Sequence, residues 1–238
     1  MKNLLSVLFV LMLSSTLQSQ GFITALEEND MITLLGKPAI VTLADGTEVN
    51  GKFSAGVLNM GYLDRITIKG EDGEKMKIKP EEIVRVLIKA SGLAKLSMLA
   101  SSSSSIKEAT KRDFNEIKNR DYIIFETAQR ANKSGSLRLM QLLNPGFDSK
   151  IKVFANPNAS QTTGIGVGGI KITGGEDKSY LMVKGGDKAV IVRKGSYKKN
   201  FEELYKTCPE MLKAFQGEKI QWDDVAGHVF AYDQMCKE

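Results

Sequence analysis

Histidine is all but missing from this chain of 238 residues: His228 stands alone, and the only cysteines are Cys208 and Cys236. A structural zinc site takes four Cys or His ligands, so zinc has almost nothing to bind, and His-based metal cages are excluded. A Ser-His-Asp site would have to use His228, which falls in an amphipathic C-terminal stretch and reads as a partly exposed helical residue; no G-x-S-x-G accompanies it. Long apolar runs are equally scarce. Leu4 to Leu13 is too short to cross a bilayer alone, and nothing after it resembles a span. Nor is there a block of one charge: 33 bases and 28 acids alternate along the chain. Nucleic-acid binders gather their bases on one face or in one run.

What is present begins with a leader. Lys2, the apolar run Leu4 to Leu13, and the small and polar Ser14 to Gln20 have the layout of a secretory signal peptide, with the cut expected between Ser19 and Gly21. No cysteine follows the apolar run, which argues against a lipid anchor. Removing residues 1–20 takes away one base and no acid, leaving 32 bases against 28 acids, a net charge of +4.

Residues 39–89 read as five short strands. Ala39 to Leu43 and Thr47 to Phe53 flank Asp45-Gly46, and Arg65 to Lys69 and Lys75 to Lys79 flank Asp72-Gly73. Asp-Gly supplies the backbone that a tight turn between twisted strands needs. Pro80-Glu81-Glu82 is a single helical turn with proline at its first position, and Ile83 to Ile88 closes the set. Five strands with tight turns in so short a stretch predict a small, strongly bent antiparallel barrel. Residues 91–120, with Ser101 to Ser105 in a row, read as a solvated linker.

Beyond residue 120, Tyr122 to Thr127, Ser136 to Leu143 and Lys150 to Ala155 predict strands. Tyr180 to Val183 and Ala189 to Val192 predict a hairpin across Gly185-Gly186. From Phe201 the apolar period lengthens, with Leu204, Tyr205, Cys208, Met211, Leu212 and Phe215 on one helical stripe. Trp222, Val225, Val229, Tyr232 and Cys236 form a second stripe. Strands first and helices last predict an antiparallel α+β layer. The domains expected are a signal peptide (1–20), a small β-barrel (21–90), a Ser-rich linker (91–120) and an antiparallel α+β domain (121–238). Export permits a disulfide between Cys208 and Cys236. A straight helical pair would leave their Cα atoms about 12 Å apart along the axis, so the bridge requires a bend at Pro209; otherwise both are buried thiols.

Two resemblances accompany this reading. LADGTEVNGKF and ITIKGEDGEKMKIKPEEI, with the apolar strand after them, resemble the SH3-like or Sm-like small barrels in architecture. RNA-binding Sm-like proteins carry an Asp and Asn loop after the second strand; the stretch Ser54 to Gly61 offers only Asn59, so no RNA site is implied. LLNPGFDSKIKVF, GGEDKSYLMVKGGDKAVIVRKGSYKKNF and LYKTCPEML resemble a group of exported bacterial proteins of uncharacterised function over residues 120–238. That resemblance implies export and fold, and no activity.

Short motifs yield no chemistry. Gly164, Gly166 and Gly169 match G-x-G-x-x-G, but polar residues precede them and the strand-like Ile170-Lys171-Ile172 follows, where a dinucleotide site needs a helix. Ser104-Lys107, Ser149-Lys152 and Ser196-Lys199 fit S-x-x-K by chance in a Lys-rich chain. Asp223-Asp224 and Glu202-Glu203 are placed to favour the positive ends of helices.

The expectation is an exported, non-catalytic protein, periplasmic or secreted and peripheral to the outer membrane, with no cofactor and no metal. It would bind a protein, an envelope component or a small ligand through the loops Ser54 to Tyr62 and Asn156 to Gly169, with Asn59, Tyr62, Asn158, Gly164, Gly166 and Gly169 as contact residues. The alternatives are a carboxylate-dependent hydrolase acting outside the cytoplasm and a nucleic-acid-binding small barrel, which would need a continuous basic stripe on residues 39–89.

Overall fold

The computed structural model describes residues 22, 28–90, 121–131, 136–159, 166–167, 170–171, 178–186 and 188–236. The expected leader, the Ser-rich stretch, Gly164 and Gly169 lie outside them.

The five strands anticipated in residues 39–89 are β1 (Pro38–Leu43), β2 (Glu48–Asn59), β3 (Tyr62–Lys69), β4 (Lys75–Ile78) and β5 (Ile83–Lys89), preceded by a 3-10 turn at Glu28–Leu34. Both Asp-Gly turns form the same way. Asp45 Oδ1 accepts the Thr47 N–H at 2.9 Å and Asp72 Oδ1 accepts the Glu74 N–H at 3.0 Å, with the glycine after each aspartate at φ +85°. The backbone bond from Thr47 also holds the exposed Asp45 carboxyl below its ordinary pKa. Pro80–Glu82 is the expected single turn, and the Glu82 carboxylate accepts the Lys79 N–H.

The stretch Ser54 to Tyr62 is not a loop. β2 runs on to Asn59 and, after Met60-Gly61, returns as β3 at Tyr62. One long strand can serve two partners because it bends: it pairs with β1 through Glu48 to Lys52 and with β3 through Lys52 to Asn59, with register shifts between Phe53 and Ala55 and between Val57 and Leu58. Gly51 lies at the crossing, where a Cβ would stand 2.5 Å from the Lys69 carbonyl oxygen.

β6 (Tyr122–Gln129) and β7 (Leu137–Gln141) complete this sheet instead of opening a second one. β6 pairs with β5 from Arg85↔Glu126 to Lys89↔Tyr122, β7 pairs with β6, and Leu139 meets Leu63 of β3. The ring β2-β1-β5-β6-β7-β3 closes on itself through β2–β3, giving a six-stranded antiparallel barrel with β4 appended to β3. The division expected at residue 120 therefore falls inside the barrel wall. The physical reason is the unpaired edge of β5, which β6 covers, while Ile123, Phe125 and Leu139 supply apolar surface to an interior already holding Val41, Phe53, Ile66, Ile68, Val86 and Ile88.

The second sheet has three antiparallel strands in the order β12-β11-β8: β8 (Ile151–Ala155), β11 (Ser179–Lys184) and β12 (Val190–Arg193). Both of its faces are covered. Phe154, Leu181 and Ile191 pack with Tyr62, Ala128, Met140 and Leu142 of the barrel wall. Val153, Tyr180 and Met182 face the helices α1 (Lys194–Tyr205), α2 (Pro209–Ala214) and α3 (Val225–Met235). The molecule is thus barrel, sheet and helices in three layers, an α+β fold with a small barrel.

The helical region starts at Lys194 rather than Phe201, so Glu202 and Glu203 fall in the last turn of α1 and not at its positive end. Asp224 is the N-cap of α3. The chain breaks between Tyr205 and Pro209, and Cys208, at that break, is disulfide-bonded to Cys236 with Cα atoms 5.4 Å apart. Short strands β9 (Gly166–Val167) and β10 (Ile170–Lys171) pair antiparallel, so strand and not helix follows Gly166.

Candidate functional site

The barrel and the second sheet meet along a seam that carries a charged cluster beside its apolar contacts. Within the seam, the Glu126 carboxylate of β6 is 4% exposed. One oxygen accepts Arg85 Nε at 2.7 Å and also Arg85 Nη2; the other accepts Lys152 Nζ of β8 at 2.6 Å. A buried carboxylate needs such partners, and here they come from both layers. Ser149 and Lys152, one of the S-x-x-K pairs, are thereby separated in role: Ser149 Oγ bonds Asp233 at 2.6 Å while Lys152 serves Glu126.

Residues of both layers also line a cleft of about 560 Å³. Tyr62, at the start of β3, forms part of its floor, and the Arg130 guanidinium lies 5.1 Å over that ring. Ala131 and Ile191 add apolar wall. On the opposite side the loop after β8 contributes Asn156 and Asn158. Asn156 accepts the Asn158 N–H at 3.1 Å and donates Nδ2 to Ser179 Oγ at 2.9 Å, which fixes the loop against the start of β11. Lys178 and Arg193 come from the entry to β11 and the exit of β12, and Gly195 and Ser196 from the first turn of α1. That turn contains no acid, and no side chain caps it. The cleft thus combines three cations, neutral amide and hydroxyl groups and a helix N-terminus, with no carboxylate among the described lining residues. Its electrostatics suit an anion.

Of the expected contact residues, Tyr62 and Asn158 share this cleft. The turn preceding Tyr62 touches the Asn158 loop directly, since a Cβ on Gly61 would lie 2.5 Å from Pro157 Cβ. Asn59 is exposed at the end of β2, paired with Tyr62 in the strand register. Gly166 lies in β9. Arg130, Lys178 and Arg193 do not stand out in the sequence, because they come from separate segments and belong to no motif. The one local sign is the alternation of β12, which places Arg193 on the same face as Ile191.

A second polar cluster is sealed inside the helical layer. Tyr197 OH is 2.8 Å from His228 Nδ1 and 3.2 Å from Tyr205 OH. The expectation of a partly exposed His228 is corrected: the residue is 3% exposed, with Phe201 and Phe215 rings edge-on at 4.9 and 4.8 Å. Burial lowers the His228 pKa to about 4 and raises both phenols above their ordinary range. All three are neutral at physiological pH and shut off from solvent, so they satisfy one another in a core rather than exchange protons with a ligand.

Among the described residues no group of three or more His, Cys, Asp or Glu side chains is placed to hold a metal ion, and no helix is long and apolar enough to cross a membrane. Comparison with protein-family models, with curated proteins and with solved structures finds no match.

Proposed function

We propose that the chain is an exported, non-catalytic binding protein whose cleft between barrel and second sheet takes a small ligand bearing an anionic group. The observation that carries this reading is the convergence of Arg130, Lys178 and Arg193 on one cleft with no acid among its described lining residues. The amides of Asn156 and Asn158 and the hydroxyls of Ser179 and Ser196 supply directional hydrogen bonds, and Tyr62 with Ile191 an apolar surface, the mixture typical of small-molecule sites. Export is supported by the leader layout of residues 1–20 and by the Cys208–Cys236 bridge, which needs an oxidising compartment to persist. The hydrolase alternative draws no support from this cleft, which offers no pair of carboxylates for acid–base work among its described lining residues.

The test is calorimetric titration of the chain lacking residues 1–20 with inorganic phosphate and with phosphorylated, sulfated, carboxylated and uncharged sugars. Saturable binding of the anionic probes alone is expected, weakened about tenfold or more by Lys178→Ala with Arg193→Ala, since each charge-assisted bond is worth roughly 1.5–3 kcal/mol. Absence of anion binding, or binding indifferent to that double substitution, would overturn the reading.

A further inference from the structure

The side of the barrel turned away from the second sheet carries an unusual array of charge. In the closed ring β2 lies opposite β6, the strand against which the second sheet packs, and among the described residues of β2, β3 and β4 only Tyr62, at the start of β3, packs with that sheet. Three consecutive cross-strand rows occupy it. Lys52, Lys69 and Lys75 stand directly opposite one another across all three strands. The next row is Ala55, Thr67 and Lys77, and the third is Val57 and Arg65. All five bases are exposed, no acid falls in these rows, and no ion pair joins any of the five to an acid among the described residues.

Like charges placed directly opposite in a sheet destabilise it, and neighbouring strands are only about 4.8 Å apart. Lysines on an exposed edge also discourage edge-to-edge aggregation, which accounts for Lys75 and Lys77 on β4. It does not account for Lys52 and Lys69, whose strands are paired on both sides at those positions. An external polyanion gives the row a favourable partner.

We propose that this face seats the protein on an anionic membrane surface, with the phosphate-bearing headgroups of acidic lipids as its counter-charges. Shape and composition favour a lipid surface over a nucleic acid. The array lies on the convex outside of a barrel rather than in a groove. Its uncharged members are Ala55, Val57 and Thr67, with no aromatic ring on which a base could stack. Val57, 40% exposed, offers an apolar contact at the headgroup level. This surface is separate from the cleft and stands whether or not the cleft binds a ligand.

The experiment is co-sedimentation of the chain lacking residues 1–20 with phosphatidylglycerol-containing and pure phosphatidylcholine vesicles, alongside a single-stranded oligonucleotide. Binding is expected to the anionic vesicles alone and to fall with added salt. Each lysine near an anionic surface contributes about fivefold, so Lys52→Gln, Lys69→Gln and Lys75→Gln together should weaken it on the order of a hundredfold. Circular dichroism melting establishes that the triple variant is folded, and Lys198→Gln with Lys199→Gln on α1 removes charge from a different face. Failure to bind anionic vesicles, equal loss in the α1 variant, retention of binding in the triple variant, or tighter binding to the oligonucleotide would each overturn the proposal.

Discussion

Lys152 of the second sheet reaches across to Glu126 of the barrel wall, Nζ to Oε2 at 2.6 Å, and shares that carboxylate with Arg85. The glutamate is buried, whereas the lysine and arginine side chains are 41% and 42% exposed. The glutamate is therefore the costly member to lose its partners, and the two cations can return to water.

Arg85→Ala with Lys152→Ala should destabilise the protein by about 3 kcal/mol, because it leaves a buried carboxylate without a partner, while Lys152→Ala alone should cost roughly 1 kcal/mol with Arg85 still in place. Urea unfolding of Lys152→Ala, of Arg85→Ala and of the double variant measures the coupling. A double variant no less stable than Lys152→Ala alone would show that the seam is not organised around the glutamate.

The Cys208–Cys236 bridge spans 28 residues of sequence. A loop of that length predicts a loss of about 3–4 kcal/mol when both cysteines become alanine. Reduction of the native chain should lower its melting temperature to near that of the double variant. A double variant as stable as the native chain would contradict this.

His228 makes stability depend on pH. Above about pH 6.5 the ring is neutral in folded and unfolded chains alike, and it changes nothing. Below that, the unfolded chain binds a proton that the folded chain refuses until about pH 4, so stability falls across this window, by on the order of 3 kcal/mol at its lower end. His228→Gln should flatten this part of the profile of unfolding free energy against pH. A profile of unchanged slope would assign the acid sensitivity elsewhere.

Gly61 has φ +79° and abuts Pro157, whereas Gly46 has φ +85° and faces open space. Alanine at Gly46 should cost roughly 1 kcal/mol of backbone strain. At Gly61 it should cost more, because the turn before Tyr62 must also move off the Asn158 loop, and anion binding in the cleft should weaken with it. Equal costs at the two positions would mean that the contact with Pro157 is slack.

Local chemistry was readable from the sequence wherever it decides structure by itself. Asp45-Gly46 and Asp72-Gly73 make their turns with their own side chains, Pro80 starts its turn, and Pro209 breaks the helix where Cys208 needs it broken. The ownership of β6 was not readable. Ile123 and Phe125 point into the barrel while Ile124 and Ala128 meet the second sheet, so the strand is apolar on both sides and nothing within it says which sheet it joins. The same holds for Glu126, a polar position in an apolar strand whose partners lie 41 residues before it and 26 after. The cleft was legible only in Tyr62 and Asn158, since its cations converge through topology.

Two staves of the barrel lie on the far side of the serine-rich stretch. A ribosome that has delivered only the first ninety residues holds an unfinished cask, with the rim of β5 bare and its greasy lining wet. The hoop is complete once Gln141 has emerged, so a fragment cut at residue 120 should clump, and the shortest piece that keeps its shape must extend past β7.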